Sequence, residues 1–194
     1  SRGDSAQPAP VAVRCAARIP SCLDYEANKG QISPDTTQTG YSGGNALSSE
    51  RLDTLKARAV AEGTYYASGC PANPSGNVVY IENGNCSYNN SAGPCCNSAA
   101  DPGVLIVANG TLELGGNIVF NGVVYMANKQ QSSGVVLEID GTAGINGSVA
   151  VDGNGGVLAG SSGVNITFAV GVFNSLIGYG TAGVIQNTWR ELAG

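Results

Sequence analysis

Acidic side chains are the first place to look for chemistry, because the chain contains no histidine. That absence removes the commonest general base, the triad base and the commonest nitrogen ligand for metals. Glu138 and Asp140 lie two apart in a predicted strand, so both point to one face. Leu137 and Ile139 take the opposite, core-facing side, which leaves the two carboxylates in water. Asp152 joins them only if its corner stacks on that of Asp140, an arrangement suited to calcium or an acidic sugar. No Asp/Asn spacing here matches a calcium loop, and nothing marks a base tuned by burial or a neighbouring charge. The reading assigns no catalytic residue, no metal ligand and no cofactor.

The six cysteines are Cys15, Cys22, Cys70, Cys86, Cys95 and Cys96. They form no CxxC pair and have no histidine partners, which argues against structural zinc. An even number in a Gly- and Asn-rich chain reads as disulfides formed in an oxidising compartment. Cys15 and Cys22 are a natural local pair. A bond between the neighbours Cys95 and Cys96 would strain the backbone, so each is expected to take Cys70 or Cys86.

Tyrosines are the other candidates. Tyr65, Tyr66, Tyr80 and Tyr88, with Tyr125, lie in or beside the Cys-rich excursion and the predicted solenoid. Tyr on a rigid sheet makes a common surface for sugar or protein. The competing reading is that Tyr65 and Tyr66 simply cover the core below a helix. Arg2-Gly3-Asp4 is a tripeptide that some cell-surface receptors read, but it recurs by chance and is assigned no role. The sequons at Asn85, Asn89, Asn109, Asn146 and Asn165 follow from composition, and glycosylation is not inferred. Thr111, Thr142 and Thr167 make no regular ladder of the kind that binds ice.

The elements that position these residues follow from composition. The 194 residues suffice for one domain, or one domain with an appended lobe. Hydrophobic residues make up 42%, enough for a packed core, while charged residues are only 12%, about half the usual share. The 29 glycines are about twice the usual frequency. Such a chain suits short strands joined by tight turns. A net charge of −5 with scattered cations gives no stripe for a nucleic-acid backbone and no polybasic membrane anchor.

Residues 1–47 read as an irregular arm with Pro8, Pro10, Pro20 and Pro34. A helix is predicted from Ser49 to Glu62, capped by Ser48 or Ser49 and ended by Gly63. Leu52, Leu55, Ala59 and Val60 form its apolar face. Residues 48–102 comprise this helix and a Cys-rich excursion with one strand, Asn77–Glu82. From Gly103 to Gly194, short apolar runs alternate with Asn-Gly and Asp-Gly pairs. Val104–Ala108, Thr111–Leu114, Ile118–Phe120, Val123–Ala127, Val135–Ile139 and Val149–Val151 are such runs. Strands this short, with a corner every few residues, predict the coils of a β-solenoid, mainly β overall. A β-sandwich is the structural alternative. Val164–Tyr179 reads as further buried strands, and Trp189 as a plug closing the last coil.

The run GVLIVANGTLELGGNIVFNGVVYMANK from Gly103 to Lys129 resembles the coiled core of PilX-like pilus-assembly proteins, the atypical large minor pilins. GTAGINGSVAVDGNGG at Gly141–Gly156 continues that likeness. LDTLKARAVAEGTYYASG at Leu52–Gly69 is similar to the helix and Gly-Thr-Tyr-Tyr segment that precede the coils, and NTWRELAG at Asn187–Gly194 to the closing strand. The resemblance implies a subunit of a type IV pilus-like filament with its solenoid displayed outward. That family begins with a prepilin cleavage site and a long apolar helix, and neither is among these residues. The expectation is therefore the soluble part of such a subunit.

The leading functional expectation is a non-enzymatic structural or adhesive filament component at the cell surface. Its expected partners are other filament subunits, with surface glycans or host and abiotic surfaces as further targets. A membrane is contacted only through a helix absent from this chain. A freestanding secreted carbohydrate-binding module or adhesin is the alternative, and a polysaccharide-active solenoid enzyme comes third.

Overall fold

The computed structural model describes residues 11–13, 23–24, 47–89, 95–153, 155–160 and 163–167. The strands are β1 (Val11–Val13), β2 (Leu23–Asp24), β3 (Tyr65–Tyr66), β4 (Val78–Ile81), β5 (Gly84–Tyr88) and β6 (Gly103–Val107). They continue with β7 (Gly110–Leu114), β8 (Val119–Met126), β9 (Val135–Ile139), β10 (Gly144–Val151), β11 (Gly156–Ala159) and β12 (Asn165–Thr167). One helix, α1 (Ser49–Glu62), precedes β3.

These strands wind into a β-solenoid. One sheet runs β1-β10-β8-β6-β4-β3, with β12 also paired to β10, and the other runs β2-β11-β9-β7-β5. Every strand pair is parallel. A sandwich of hairpins would be antiparallel, so that alternative is overturned. The ladders also run across the expected boundary at residue 102, because Val78–Ile81 pairs with Val104–Val107.

Register lines the inside with columns of like residues. Val79, Leu105, Val124 and Val149 stack along one wall, as do Ile81, Val107, Met126 and Val151. Cys86, Leu112, Leu137 and Val157 stack along the second wall. Phe120, Ile145 and Ile166 line the third. All belong to one buried apolar cluster. The first wall is buried on its outer side too. There Val78, Tyr80, Val104, Ile106, Val123 and Tyr125 pack in a second cluster with Leu52, Leu55 and Ala59 of α1. Burial on both faces explains why β4 and β6 are apolar throughout. The second wall faces solvent, and β5 accordingly alternates exposed and buried positions.

Helix α1 has the predicted bounds. The Ser48 hydroxyl accepts from the Arg51 N–H, and Gly63 ends the helix in the left-handed region. Val60 departs from expectation, at 55% exposed, because the stripe that meets the sheet is Leu52, Leu55 and Ala59 alone.

Two further expectations need correction. Part of the Cys-rich excursion is β5, a full rung whose Cys86 and Tyr88 point inward. Asn121-Gly122 and Asn146-Gly147 do not separate strands; they lie inside β8 and β10. Gly122 and Gly147 have φ of 138° and 150°, which lets a strand swing round a vertex without leaving the ladder. They stack in one column with Gly103. Of Val164–Tyr179, the described strand is Asn165–Thr167; Trp189 and the Asn187–Gly194 segment lie outside the described residues.

Candidate functional site

A group of charged and phenolic side chains sits where the first wall turns into the second. β4 turns through Glu82 and Asn83 into β5, and β6 turns through Ala108 and Asn109 into β7. The Asn109 amide donates to the Glu82 carbonyl at 3.0 Å and to Asn83 Oδ1 at 3.2 Å, tying the two corners together. The next corner, between β8 and β9, is longer. Asn128 braces it by donating to the Ser132 carbonyl at 2.9 Å and accepting from the Ser132 N–H at 2.9 Å. Gln130 Oε1 accepts from the Gly110 N–H at 2.9 Å, so this loop folds back over the corner below.

The fold-back carries Lys129 to the first coil. Its Nζ donates to the Tyr80 hydroxyl at 3.3 Å and lies 3.9 Å from Glu82 Oε1. Lys56 arrives from α1, 2.6 Å from Glu82 Oε2. The same ammonium stands 5.1 Å from the Tyr65 ring centre, in cation–π range. The Tyr65 hydroxyl donates to Glu82 Oε2 at 3.5 Å, and the Tyr65 and Tyr80 rings are 6.1 Å apart. One carboxylate is thus bracketed by two ammoniums over a pair of tyrosines. Chemically the group is a clamp, joining α1, the β4–β5 corner and the β8–β9 loop. Its outer rim, Lys56, Lys129 and Tyr65, also offers donors to a hydroxyl-rich ligand.

The hydrogen bond Lys56 donates to Glu82 holds its ammonium above the usual lysine value. Burial pushes the Tyr80 hydroxyl up, offset in part by Lys129. Burial also raises Tyr88 strongly, with Tyr66 adding to it. Folded values above unfolded ones give stability that is complete below the unfolded pKa and lost as pH rises through the folded one. The reference values are 10.0 for tyrosine and 10.5 for lysine, so the urea midpoint should hold steady to about pH 10 and fall above it. Tyr88→Phe tests the largest part of this. The Tyr88 hydroxyl is buried without a hydrogen-bond partner among the described residues. Removing it should leave stability unchanged or raise it by about 1 kcal/mol at neutral pH. The alkaline fall should also become shallower.

Of the four candidate tyrosines, Tyr65 and Tyr66 are half-buried on β3. Tyr80 and Tyr88 are buried, which corrects their expected place on a binding surface. Tyr80 lies under α1, and Tyr88 occupies an inward position two after Cys86. Tyr125 is buried as well, and its hydroxyl donates to the Asp152 carboxylate.

Asp152 is not brought to Asp140 either. Asp152 is buried, and its N–H bonds the Met126 carbonyl at the first-to-second-wall corner. Asp140 bonds the Leu114 carbonyl at a different vertex, so the two Asp-Gly pairs do not stack. Glu138 instead lies in register beside Glu113 of the adjacent rung.

The expected cysteine pairing is also corrected. Cys70 bonds Cys86, and Cys95 bonds its neighbour Cys96. Cys96 adopts a φ of 79°, and its N–H is held by Asn73 Oδ1 at 2.8 Å. The Cys15–Cys22 expectation lies outside the described residues.

Lys56, Glu82 and Lys129 went unnoticed in the sequence because 47 positions separate Glu82 from Lys129 and no motif spans them. Aligning Asn83-Gly84 with Asn109-Gly110 as stacked corners was the available signal. No family model matches the chain, and neither do any curated proteins or solved structures.

Proposed function

We propose that this chain is a non-enzymatic structural and adhesive component of a type IV pilus-like surface filament, with its solenoid as a stiff displayed element. The observation that carries the reading is the parallel ladder with its stacked inner columns. Each rung pairs in parallel with the next, and load along the stack is spread over many backbone hydrogen bonds. The Cys70–Cys86 and Cys95–Cys96 bonds fit an oxidising compartment, as an exported protein requires. Helix α1 and the Glu82 clamp hold one end of the stack rigid.

The test is made on source cells. Surface filaments are sheared off, purified and analysed by mass spectrometry for peptides of this chain. Co-purification in constant ratio with the filament is the expected result. Recovery only as free protein in the medium overturns the reading.

The half-buried Tyr65 beside the Lys56–Glu82–Lys129 rim favours one second reading, a glycan-binding module. A glycan array probed with the wild type and with Lys56→Ala separates the two. Specific binding lost in the variant would support the module.

A further inference from the structure

Five Asn-x-Ser/Thr sequons begin at Asn85, Asn89, Asn109, Asn146 and Asn165. As sequence they are alike, but the fold separates them. An acceptor sequon must present two groups at the surface, the Asn amide nitrogen and the hydroxyl two residues on. In a strand those two side chains share one face, so the surroundings of that face decide whether both are open. The sequon at Asn89 runs into positions outside the described residues.

Two sequons are closed. The Ser148 hydroxyl of the Asn146 sequon is fully buried. Asn121 donates its amide to the Asn97 carbonyl at 2.8 Å, which turns Asn121 Oδ1 toward the next rung. The Asn146 nitrogen donates to that oxygen at 3.1 Å. The Asn109 nitrogen is committed too, to the Glu82 carbonyl and Asn83 Oδ1 of the corner below. Attaching a sugar to either nitrogen would break bonds that join one coil to the next.

Two sequons are open. On β5, Asn85 and Ser87 are both exposed, while Cys86 between them points inward. Asn85 Oδ1 accepts from the Thr111 N–H at 3.2 Å and the Thr111 hydroxyl at 3.3 Å. A backbone N–H can meet only the oxygen of that amide, so Nδ2 lies on its other side. On β12, Asn165 and Thr167 are exposed and Ile166 points inward. The Thr167 hydroxyl donates to Asn165 Oδ1 at 2.7 Å, so both groups of this sequon meet outside the third wall. Neither the Asn85 nor the Asn165 nitrogen is taken by a hydrogen bond among the described residues.

Their placement is the second observation. Among the described strands, β5 pairs with β7 alone and β12 with β10 alone. The open sequons thus lie on end strands, at the first coil and the last, and the closed ones lie further inside the stack. Strand edges template pairing with other chains, and a bulky hydrated group beside them opposes it.

We propose that Asn85 and Asn165 are N-glycosylation sites and that Asn109 and Asn146 stay bare. The donor class is an oligosaccharide carried on a lipid pyrophosphate. The amide nitrogen bonds to the anomeric carbon as that carbon's bond to phosphate oxygen breaks. The lipid pyrophosphate leaves with the electron pair, and the amide gives up one proton to the transferase.

Glycopeptide mass spectrometry of the full chain purified from its source cells tests this. Oligosaccharide should be found on Asn85 and Asn165, with unmodified Asn at 109 and 146. Asn85→Gln and Asn165→Gln, produced in the same cells, should each remove one glycan from the intact mass, and Asn146→Gln should remove none. Bare Asn at 85 or at 165, or a glycan on 109 or 146, overturns the proposal. The inference requires export but no filament. Glycosylated protein found only free in the medium would keep it while overturning the filament reading.

Discussion

Gly122→Ala and Gly147→Ala should each collapse the solenoid, with a loss on the order of 4 kcal/mol. A Cβ at Gly122 would sit 1.8 Å from the Gly103 carbonyl oxygen, and one at Gly147 would sit 1.8 Å from that of Gly122. The obstacle is backbone of the adjacent rung, so no side-chain rotation relieves it. Their φ angles of 138° and 150° are also costly for any residue with a Cβ. Relief would require opening the ladder at the vertex where β8 and β10 turn. Gly63→Ala is the control. It too has positive φ, 73°, but nothing lies within 4 Å of its added Cβ, and the strain alone should cost about 1–2 kcal/mol. Urea unfolding of the three variants, followed by circular dichroism, checks the contrast. Equal losses at all three would show that φ alone matters and that the vertex is not tightly stacked.

Cys70→Ser should cost about 3 kcal/mol, the second-largest effect expected. The Cys70–Cys86 bond closes a loop with a sequence separation of 16, and loops of this size gain about that much from cross-linking. For a chain of this length the melting temperature should fall by roughly 6–12 °C. Cys70 is exposed, so its replacement leaves no cavity, while the Cys86 thiol stays in the core as a small apolar group. Peptide mapping of the native protein should recover the 70–86 linkage. The loop so closed contains β4 and the first part of β5, at the start of both walls. Their amides should lose protection from hydrogen exchange before those of β8 and β10 do.

Local patterning carried much of the architecture. Val135–Ile139, Thr111–Leu114 and the α1 segment were legible because each satisfies a period of its own, with Asn-Gly, Asp-Gly or Ser and Gly at its limits. The sparse charge and doubled glycine content pointed to short strands and corners. Periodicity was silent where one residue pair serves two geometries. Asn109-Gly110 lies where one wall gives way to the next, whereas Asn121-Gly122 keeps the chain within one bent strand. The two dipeptides look alike, and the rung beneath decides between them.

The candidate site was less legible for the same reason. Tyr80 and Tyr88 were chosen for their chemistry, but burial depends on which wall each faces and on what covers that wall. The outer side of the first wall is closed by α1, so Tyr80 is buried beside Lys129. Tyr88 points into the coil. Asp140 and Asp152 both precede a Gly and were candidates for stacked corners, yet three-dimensional register sends them to different vertices. The clamp of Lys56, Glu82 and Lys129 exists only because the β8–β9 loop folds back across two coils.

The sequence by itself therefore determined that the chain is mainly β, that it is built of short runs turned at frequent corners, and where its one described helix begins and ends. Those features rest on interactions among residues near in the chain. The tertiary structure decided the cysteine pairing, the inward or outward side of each tyrosine, the charged corner, and the pairing of β1 with β10 and of β2 with β11. Each of these depends on which rungs become neighbours, and that is fixed by how whole coils stack rather than by any local run of residues.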